Sequence, residues 1–306
     1  MKKNQSTYRT LVMAGIASIF TFSVACADDI FITNNGGYSI EEISNGVPST
    51  FINTGLNSPT GLAFYGGDLF VANNSGNIAE FTSGGALLND NYAPSLDLNN
   101  PRGIAFNSAG DLFVANQATG TIYEIAPGGG SASVFASGLD TPNGLAFDSS
   151  GNLYVSNGGN GVIDEITPSA VVTPFVTGLS SPNGLAFDSA GDLLVVNHNT
   201  SQVLEFSSTG TALPLTITDG TAGASLKTVG LDSEGNIYVT DNSNSLVTEY
   251  NASGTILTVF DNPGDFNGPC FITTLVVPEP STYALLIAGL GLLFFMGRRK
   301  AKAATV

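Results

Sequence analysis

A module of about 40 residues recurs six times along this chain, and this repetition constrains the fold more than any other feature. Each copy contains short apolar segments separated by glycine-containing turns, as in GIAFNSAGDLFVANQATGTIYEI and GLAFDSAGDLLVVNHNTSQVLEF. The second segment of every copy ends in an amide or carboxylate residue, at Asn34, Asn73, Asn116, Asn157, Asn197 and Asp241. Valine, phenylalanine and isoleucine at a period of two indicate strands, and repeats of this length are typical of propeller blades.

The two ends of the repeat region complement each other. Residues 29–34 match the second strand of a blade but follow no first strand, whereas FNGPCFITT at 266–274 matches a first strand with no second strand after it. A propeller needs a closed ring, since an open edge strand invites aggregation. The sequence therefore predicts an all-β protein, a six-bladed β-propeller of four-stranded blades over residues 28–276. Its ring is expected to close when a strand at about 270–274 pairs with the N-terminal blade.

Residues 1–27 have the pattern of a secretory signal peptide. Basic residues precede the apolar run Leu11–Ala25, and small residues lead up to Ala27, after which signal peptidase is expected to cleave. Lipidation of Cys26 is the alternative, although Ser23 stands where lipoproteins usually have leucine. After cleavage Cys270 is the only thiol, so no intrachain disulfide is expected, and we interpret Cys270 as a buried core residue.

Residues 277–306 combine three ordered parts. The VPEPS motif with Pro278, Glu279 and Pro280 comes first, an apolar run at 283–297 follows, and a basic cluster at 298–300 comes last. Together these parts closely resemble the PEP-CTERM sorting tail of Gram-negative bacteria. The resemblance implies a precursor anchored transiently in the inner membrane by a short helix, processed by an exosortase, and exported to the periplasm, the cell surface or the extracellular space. This setting is typically linked to exopolysaccharide and biofilm. An ordinary C-terminal membrane anchor is the alternative.

The region between these two segments is strongly acidic. Arg102 and Lys227 are the only Lys and Arg residues from 28 to 277, a range that holds all but one of the 25 acidic residues. Such a surface repels phosphate backbones, which excludes nucleic acid as a partner. It also attracts cations, and calcium is the cation that it would favour, although the sequence establishes no cofactor.

One variable position precedes the apolar first strand of each repeat. By aligning the copies we assign to it Thr60, Arg102, Asn143, Asn183, Thr228 and Asn267. Because first strands surround the axis of a propeller, these side chains are expected to line a ligand-binding channel mouth, whose amides and hydroxyls suit carbohydrate or peptide recognition. His198 is the only histidine, lies in a turn on the same face, and is a candidate general base.

The repeat pattern P-x-G-[LI]-A-F-[DN]-x-x-G resembles the NHL-type and the senescence-marker-protein (gluconolactonase-like) six-bladed propellers over residues 29–275. The gluconolactonase resemblance implies a divalent cation at the channel mouth that polarises a lactone carbonyl. Asn143 and Asn183 match that family's Asn-Gly element and are the candidate metal ligands. Asn267 stands where the family has a glutamate and Thr228 where it has an aspartate, so both acidic ligands are missing. Virginiamycin B lyase, a related propeller, relies on histidine, which implies a role for His198.

These observations favour an exported propeller of the cell envelope or extracellular matrix that binds a ligand, a glycan or a protein without catalysis. A divalent-metal-dependent lactone hydrolase and a virginiamycin B lyase-like enzyme are the alternatives, because one fold hosts many functions. The expected partners are signal peptidase and exosortase during processing, and exopolysaccharide or envelope proteins afterwards.

Overall fold

The computed structural model describes residues 28–129, 131–219, 221–261 and 266–275. The predicted signal peptide and sorting tail lie outside these residues, and the domain limits predicted near residues 27 and 276 stay predictions. The described residues form 24 β-strands and two short 3-10 helices, Gln117–Thr119 and His198–Thr200. No helix within these ranges is long and apolar enough to cross a membrane.

The strands form six antiparallel sheets of four strands each. From the axis outwards, blade 1 is β24 (Pro269–Leu275), β1 (Asp29–Asn34), β2 (Ser39–Ser44) and β3 (Val47–Ile52), and blade 2 is β4 (Pro59–Tyr65), β5 (Asp68–Asn73), β6 (Asn77–Phe81) and β7 (Leu87–Asn89). Blade 3 is β8 (Pro101–Phe106), β9 (Leu112–Asn116), β10 (Thr121–Ile125) and β11 (Ala132–Ser137), and blade 4 is β12 (Pro142–Phe147), β13 (Leu153–Asn157), β14 (Val162–Ile166) and β15 (Val172–Val176). Blade 5 is β16 (Pro182–Phe187), β17 (Leu193–Asn197), β18 (Gln202–Phe206) and β19 (Ala212–Thr218), and blade 6 is β20 (Leu226–Leu231), β21 (Ile237–Asp241), β22 (Leu246–Tyr250) and β23 (Ile256–Phe260). The predicted all-β, six-bladed propeller is confirmed.

The ring closes through the last strand of the repeat region. Strand β24 pairs with β1 in antiparallel register, with Ile30 opposite Thr274 and Ile32 opposite Ile272. The first strands of the blades contact one another around the axis in the order β24, β4, β8, β12, β16 and β20, and β20 contacts β24 again. The predicted closure is therefore confirmed, and each of the six blades has its innermost strand within the described part of the chain.

The hydrophobic core lies between neighbouring blades. Every residue of the second strands β9, β13, β17 and β21 is buried, which explains why these segments are continuous apolar runs in the sequence. Aromatic rings of adjacent blades contact edge to face: Phe113 meets Phe147 at 5.1 Å between ring centroids, and Tyr154 meets Phe187 at 5.0 Å. Because each cluster needs side chains from two blades, the blades stabilise one another in sequence around the ring.

A β-bulge interrupts the first strand of every blade at the same place. In blade 4, Pro142 is opposite Asn157 and Leu145 is opposite Val155, so three steps along β12 match two steps along β13. The same shift occurs in the other five blades. A bulge takes a residue out of the regular ladder and re-aims its side chain. In blades 2 to 5 the bulge therefore falls on the variable position that the sequence assigns to the channel mouth.

A glycine follows the bulged position in blades 2 to 5, because neighbouring first strands come too close there for a side chain. A Cβ atom on Gly144 would lie 2.4 Å from the backbone oxygen of Asn183, and one on Gly103 would lie 2.5 Å from that of Asn143. Blades 6 and 1 carry Thr228 and Phe271 at this place. The repeated Pro-x-Gly triplet thus marks the closest approach of the blades, and only its middle residue is free to vary.

The residues that end the second strands fix the loops that lead into the first strands. The side-chain oxygen of Asn73 accepts a hydrogen bond from the backbone N–H of Asn57 at 2.9 Å, and that of Asn116 accepts one from Asn99 at 2.7 Å. Asp241 plays the same part in blade 6. Asn34 and Asn197 accept the same bond in blades 1 and 5, whereas Asn157 of blade 4 donates to Asp164 instead. The repetition of these residues therefore has a structural cause in five of the six blades.

Candidate functional site

Strand pairing corrects two members of the predicted ring of channel-mouth residues. In blade 2, Pro59 is opposite Asn73, so Thr60 is the bulged residue. In blade 6, Leu226 is opposite Asp241, and in blade 1, Pro269 is opposite Asn34. The residues that follow are Lys227 and Cys270, which replace the predicted Thr228 and Asn267. We call the corrected set the entry positions: Thr60, Arg102, Asn143, Asn183, Lys227 and Cys270.

Three of the predicted residues lie elsewhere or serve the fold. Thr228 takes the place of the glycine of blades 2 to 5 and is buried. Asn267 precedes β24 and is exposed, and its backbone N–H donates to the side-chain oxygen of Asn34 at 3.1 Å. Thr60 is an entry position, but it is fully buried and its hydroxyl donates to the backbone oxygens of Ala72 and Pro101. These three side chains therefore do not line the cavity at the channel mouth.

A second ring of residues lies beside the entry positions. In blades 1, 3, 5 and 6 the residue that follows the end of the second strand reaches the first strand of the next blade. Gln117 of blade 3 donates to the side-chain oxygen of Asn143 in blade 4, and Asn35 of blade 1 donates to the backbone oxygen of Pro59 in blade 2. Asn242 of blade 6 lies 3.6 Å from the sulfur of Cys270. We call these residues the turn positions, and His198 is the turn position of blade 5.

Five of the entry positions and the turn positions Gln117 and His198 surround a cavity of about 220 Å³ at the upper end of the channel. Its lining consists of Arg102, Gln117, Asn143, Ser181, Asn183, His198, Lys227, Cys270 and Phe271. We call it the mouth cavity. It brings the predicted residues Arg102, Asn143, Asn183 and His198 together and adds Gln117, Ser181, Lys227 and Cys270, which the sequence did not single out as members of the site.

An amide network holds one side of the mouth cavity. The side-chain oxygen of Gln117 accepts hydrogen bonds from the amide of Asn100 and from Nε of Arg102, the latter at 3.2 Å. Its amide nitrogen donates to Asn143, whose own amide nitrogen donates to the backbone oxygen of Pro182 at 3.5 Å. The Arg102 guanidinium is thereby fixed by one nitrogen. Its terminal nitrogens have no partner among the described residues and remain available to a ligand.

His198 orients Lys227 on the other side of the cavity. Nδ1 of His198 lies 2.7 Å from the backbone oxygen of Leu226, and since a carbonyl oxygen only accepts, Nδ1 carries the proton. Nε2 is then an acceptor for the Lys227 ammonium group at 3.4 Å. Burial and the nearby Lys227 lower the pKa of His198 below its ordinary value. A neutral imidazole whose free lone pair already faces an ammonium group is poorly placed to act as a general base.

The two cationic side chains of the propeller lie at this cavity without acidic partners. Neither Arg102 nor Lys227 forms a salt bridge with a carboxylate of the described ranges. Burial lowers the pKa of Arg102, and burial lowers that of Lys227, with a further lowering from Arg102. Burial raises the pKa of the Cys270 thiol. The mouth cavity is therefore a small positive site in a strongly acidic domain.

The sorting tail predicted from the sequence is matched independently. The PEP-CTERM protein-sorting motif matches residues 276–300, directly after β24. The chain carries a PEP-CTERM sorting signal. Such a signal implies an exported protein of a Gram-negative bacterium and processing by an exosortase. No protein in the curated sequences compared matches the chain.

Solved structures similar to this chain share its propeller fold. A chain from the nidogen/laminin complex has a TM-score of 0.70 and 19% identity, with 81% of this chain and 98% of that chain covered. A catalytically inactive virginiamycin B lyase from Staphylococcus aureus, solved with quinupristin, has a TM-score of 0.61 and 16% identity, with coverages of 82% and 93%. A gluconolactonase from Xanthomonas campestris has a TM-score of 0.59 and 19% identity, with coverages of 70% and 79%. Likeness at such identities shows the fold alone.

The residues of the mouth cavity do not fit the divalent cation that the gluconolactonase resemblance implies. Asn143 and Asn183 do line the cavity, but the carboxylates that hard cations require are missing from it. Asn143 already uses its oxygen to accept from Gln117. Arg102 and Lys227 add two positive charges at the place where the cation would lie. The site therefore favours an anion over calcium.

The opposite, lower end of the propeller is acidic. In blade 4 the turn after the first strand pairs an amide with a carboxylate, since Asn152 donates to Asp148 at 2.9 Å. Blade 5 has two carboxylates at the same places, Asp188 and Asp192. Oxygens of these two and of Glu205 lie within 4.8 Å of one another, and this is the single such group among the residues described. Burial, followed by Asp188 and Asp192, raises the pKa of Glu205.

Proposed function

We propose that this chain is an exported β-propeller that binds a ligand at the mouth cavity without converting it. The proposal rests on polar groups of the cavity that make no hydrogen bond within the described residues. The terminal nitrogens of Arg102, the amide of Asn183 and the hydroxyl of Ser181 have no hydrogen-bond partner in the described residues, although they line the same cavity. Unpaired donors and acceptors that converge on a concave site are typical of ligand recognition.

The absence of catalysis is inferred from the groups that a reaction would need. His198 faces the Lys227 ammonium group through Nε2 and a backbone oxygen through Nδ1. The Cys270 thiol has a raised pKa, so little thiolate is present near neutral pH. The export implied by the sorting signal supports a ligand from the cell envelope or extracellular matrix, and the glycan class suits a cavity lined with amides and a hydroxyl.

The test is a binding assay of the full chain, purified in mild detergent, against the exopolysaccharide of the producing bacterium, together with a lactone-hydrolysis screen with added calcium. We expect saturable binding and no turnover. The Asn183→Ala variant should weaken binding about fivefold or more, because one neutral hydrogen bond to the ligand is worth about 1 kcal/mol. Its side chain makes no internal hydrogen bond in the described structure, so the fold should be unaffected.

The matched control is Asn53→Ala, because Asn53 is also an amide but is exposed on the outer rim of blade 1. This variant should bind as the parent does. Calcium-dependent lactone turnover that disappears in Asn183→Ala would contradict the proposal and establish the lactonase alternative instead.

A further inference from the structure

The charges of the mouth cavity define the ligand more closely than its shape does, and this inference rests on the proposed binding function. Arg102 and Lys227 are the only Lys and Arg residues between 28 and 277. They belong to different blades, 3 and 6, and bulges in both first strands direct them into one cavity. Partly buried cations without acidic partners lose hydration that the protein does not replace. An anion in the cavity would replace it.

The donors left free are arranged for an oxyanion. Nε of Arg102 donates to Gln117, which leaves the planar terminal end of the guanidinium for a bidentate contact. His198 accepts one hydrogen bond from the Lys227 ammonium group. The other two N–H groups of Lys227 remain available to the ligand. Both cationic groups are held by neutral partners, so they are oriented before a ligand arrives and need not break an ion pair to bind it.

The neutral groups beside these cations suit hydroxyl groups. Asn183 offers an amide nitrogen and an oxygen, and Ser181 offers a hydroxyl that both donates and accepts. The cavity of about 220 Å³ is smaller than typical pockets for drug-sized ligands, so it has room for one sugar-sized ring and not for a folded peptide segment. Phe271 supplies an apolar face at the edge of β24.

The acidic surroundings limit the charge of the ligand. All but one of the 25 acidic residues belong to residues 28–277, so the field outside the mouth cavity repels anions. This repulsion grows with every negative charge that a ligand carries, whereas cationic side chains that offset it lie only at the mouth cavity. A carboxylate carries one charge, and a phosphate monoester carries nearly two at neutral pH. The surroundings therefore favour the carboxylate.

We propose that the mouth cavity binds a sugar acid, with the carboxylate between Arg102 and Lys227 and the ring hydroxyls at Asn183 and Ser181. In a polysaccharide this group would be a uronate residue. The recognised unit is one acidic sugar ring, and the rest of any chain would extend out of the mouth cavity into solvent.

Calorimetric titration of the full chain with D-glucuronate and D-galacturonate tests this inference. At least one uronate should bind about tenfold or more tightly than its neutral counterpart, D-glucose or D-galactose, because hydrogen bonds to charged groups are the strong ones. Arg102→Gln and Lys227→Gln should each weaken uronate binding about tenfold or more, and by a larger factor than they weaken the binding of neutral sugars.

The matched control is Asn45→Asp, which lowers the net charge by the same amount at an exposed turn on the lower side. It should bind uronate almost as the parent does, which separates a local contact from a change in overall field. Arg102 also belongs to the amide network. A loss of uronate affinity in Arg102→Gln therefore supports the inference only if this variant unfolds at the same temperature as the parent. Lys227→Gln supplies the second measurement.

Equal binding of neutral sugars and uronates would overturn the inference and leave the proposed binding function in place. Tighter binding of glucose 6-phosphate than of glucuronate would overturn the choice of carboxylate, and tighter binding of an acidic peptide would overturn the choice of a sugar. Failure of both uronates to bind, while the exopolysaccharide binds, would overturn the inference alone.

Discussion

The two ends of the propeller channel are built by the same repeat and have opposite chemistry. At the upper end, positions that the repeat leaves variable hold Arg102 and Lys227 beside neutral amides. At the lower end, the turns after the first strands hold carboxylates, most densely in blade 5, where Glu205 of β18 lies beside Asp188 and Asp192. The difference arises because upper residues lie in bulges, which re-aim side chains without altering the sheet, whereas lower residues form hairpin turns that need oxygen acceptors.

Glycines in the first strands of blades 2 to 5 lie between these two ends, and replacing one of them should have the largest effect on stability. In Gly144→Ala the new methyl group would lie 2.4 Å from the backbone oxygen of Asn183. Gly144 and Asn183 belong to neighbouring first strands that are packed against each other. The clash can therefore be relieved only by moving one of these strands. We expect the free energy of unfolding to fall by about 2 kcal/mol, as measured by chemical denaturation.

Gly84→Ala is the matched control for this prediction. The atom nearest to a Cβ on Gly84 would be the Thr82 hydroxyl oxygen at 3.8 Å, which is an ordinary contact. This variant should be nearly neutral. If both variants lost the same stability, the close approach of the first strands would not explain why glycine occupies these positions.

At the lower end, Asp192→Asn should stabilise the protein by about 1 kcal/mol. The substitution gives blade 5 the amide–carboxylate pair that Asn152 and Asp148 form in blade 4 and that Asn236 and Asp232 form in blade 6. It also removes one of three crowded negative charges. Chemical denaturation measures the gain.

Asn152→Asp, the reverse change in blade 4, should destabilise by a similar amount. Unchanged stability in both variants would mean that solvent already screens the lower carboxylates, and the electrostatic contrast between the two ends would then be smaller than the structure indicates.

The smallest predicted effect is a pH dependence at the upper end. The pKa of His198 is lowered in the free protein by burial and by Lys227. A bound anion favours the imidazolium ion and raises that pKa, so binding takes up protons and anion affinity should increase a few-fold between about pH 7.5 and about pH 5.5. Arg102 stays protonated over this range, and the Cys270 thiol stays neutral because its pKa is raised. Burial lowers the pKa of Lys227, so proton uptake by that group on acidification acts in the same direction.

Uronate titrations at the two pH values measure this effect, and His198→Gln separates it from titration elsewhere. A glutamine amide can still donate to the backbone oxygen of Leu226 but does not titrate. The pH dependence should therefore flatten in this variant. If it persisted unchanged, the acidic groups of the lower end, such as Glu205 with its raised pKa, would be its source.

The sequence predicted the fold well because the repeat records it directly. Alternating strands, hairpin turns and complementary chain ends were sufficient to predict six blades and the pairing of β24 with β1. The site was predicted only where Pro-x-Gly marks the bulge. In blades 6 and 1 the triplets are Leu-Lys-Thr and Pro-Cys-Phe. Because they lack the glycine, the sequence alone does not identify their bulged residue.

The contacts between blades were also out of reach of the sequence. Gln117 and His198 follow the last residue of a second strand, but the sequence does not indicate that each reaches the first strand of the next blade. Nor does it indicate that Arg102 and Lys227, far apart in the chain, line one cavity. Such groupings depend on how neighbouring blades are staggered, which is a property of the assembled ring.

The position of β24 has a consequence for export. This strand ends at Leu275, and the sorting motif begins at residue 276. The strand that closes the ring and the sorting signal are therefore adjacent in the chain, and the ribosome synthesises the strand first. A polypeptide that stops short of its closing strand also lacks the label, so chain order by itself keeps such unclosed propellers out of the sorting route.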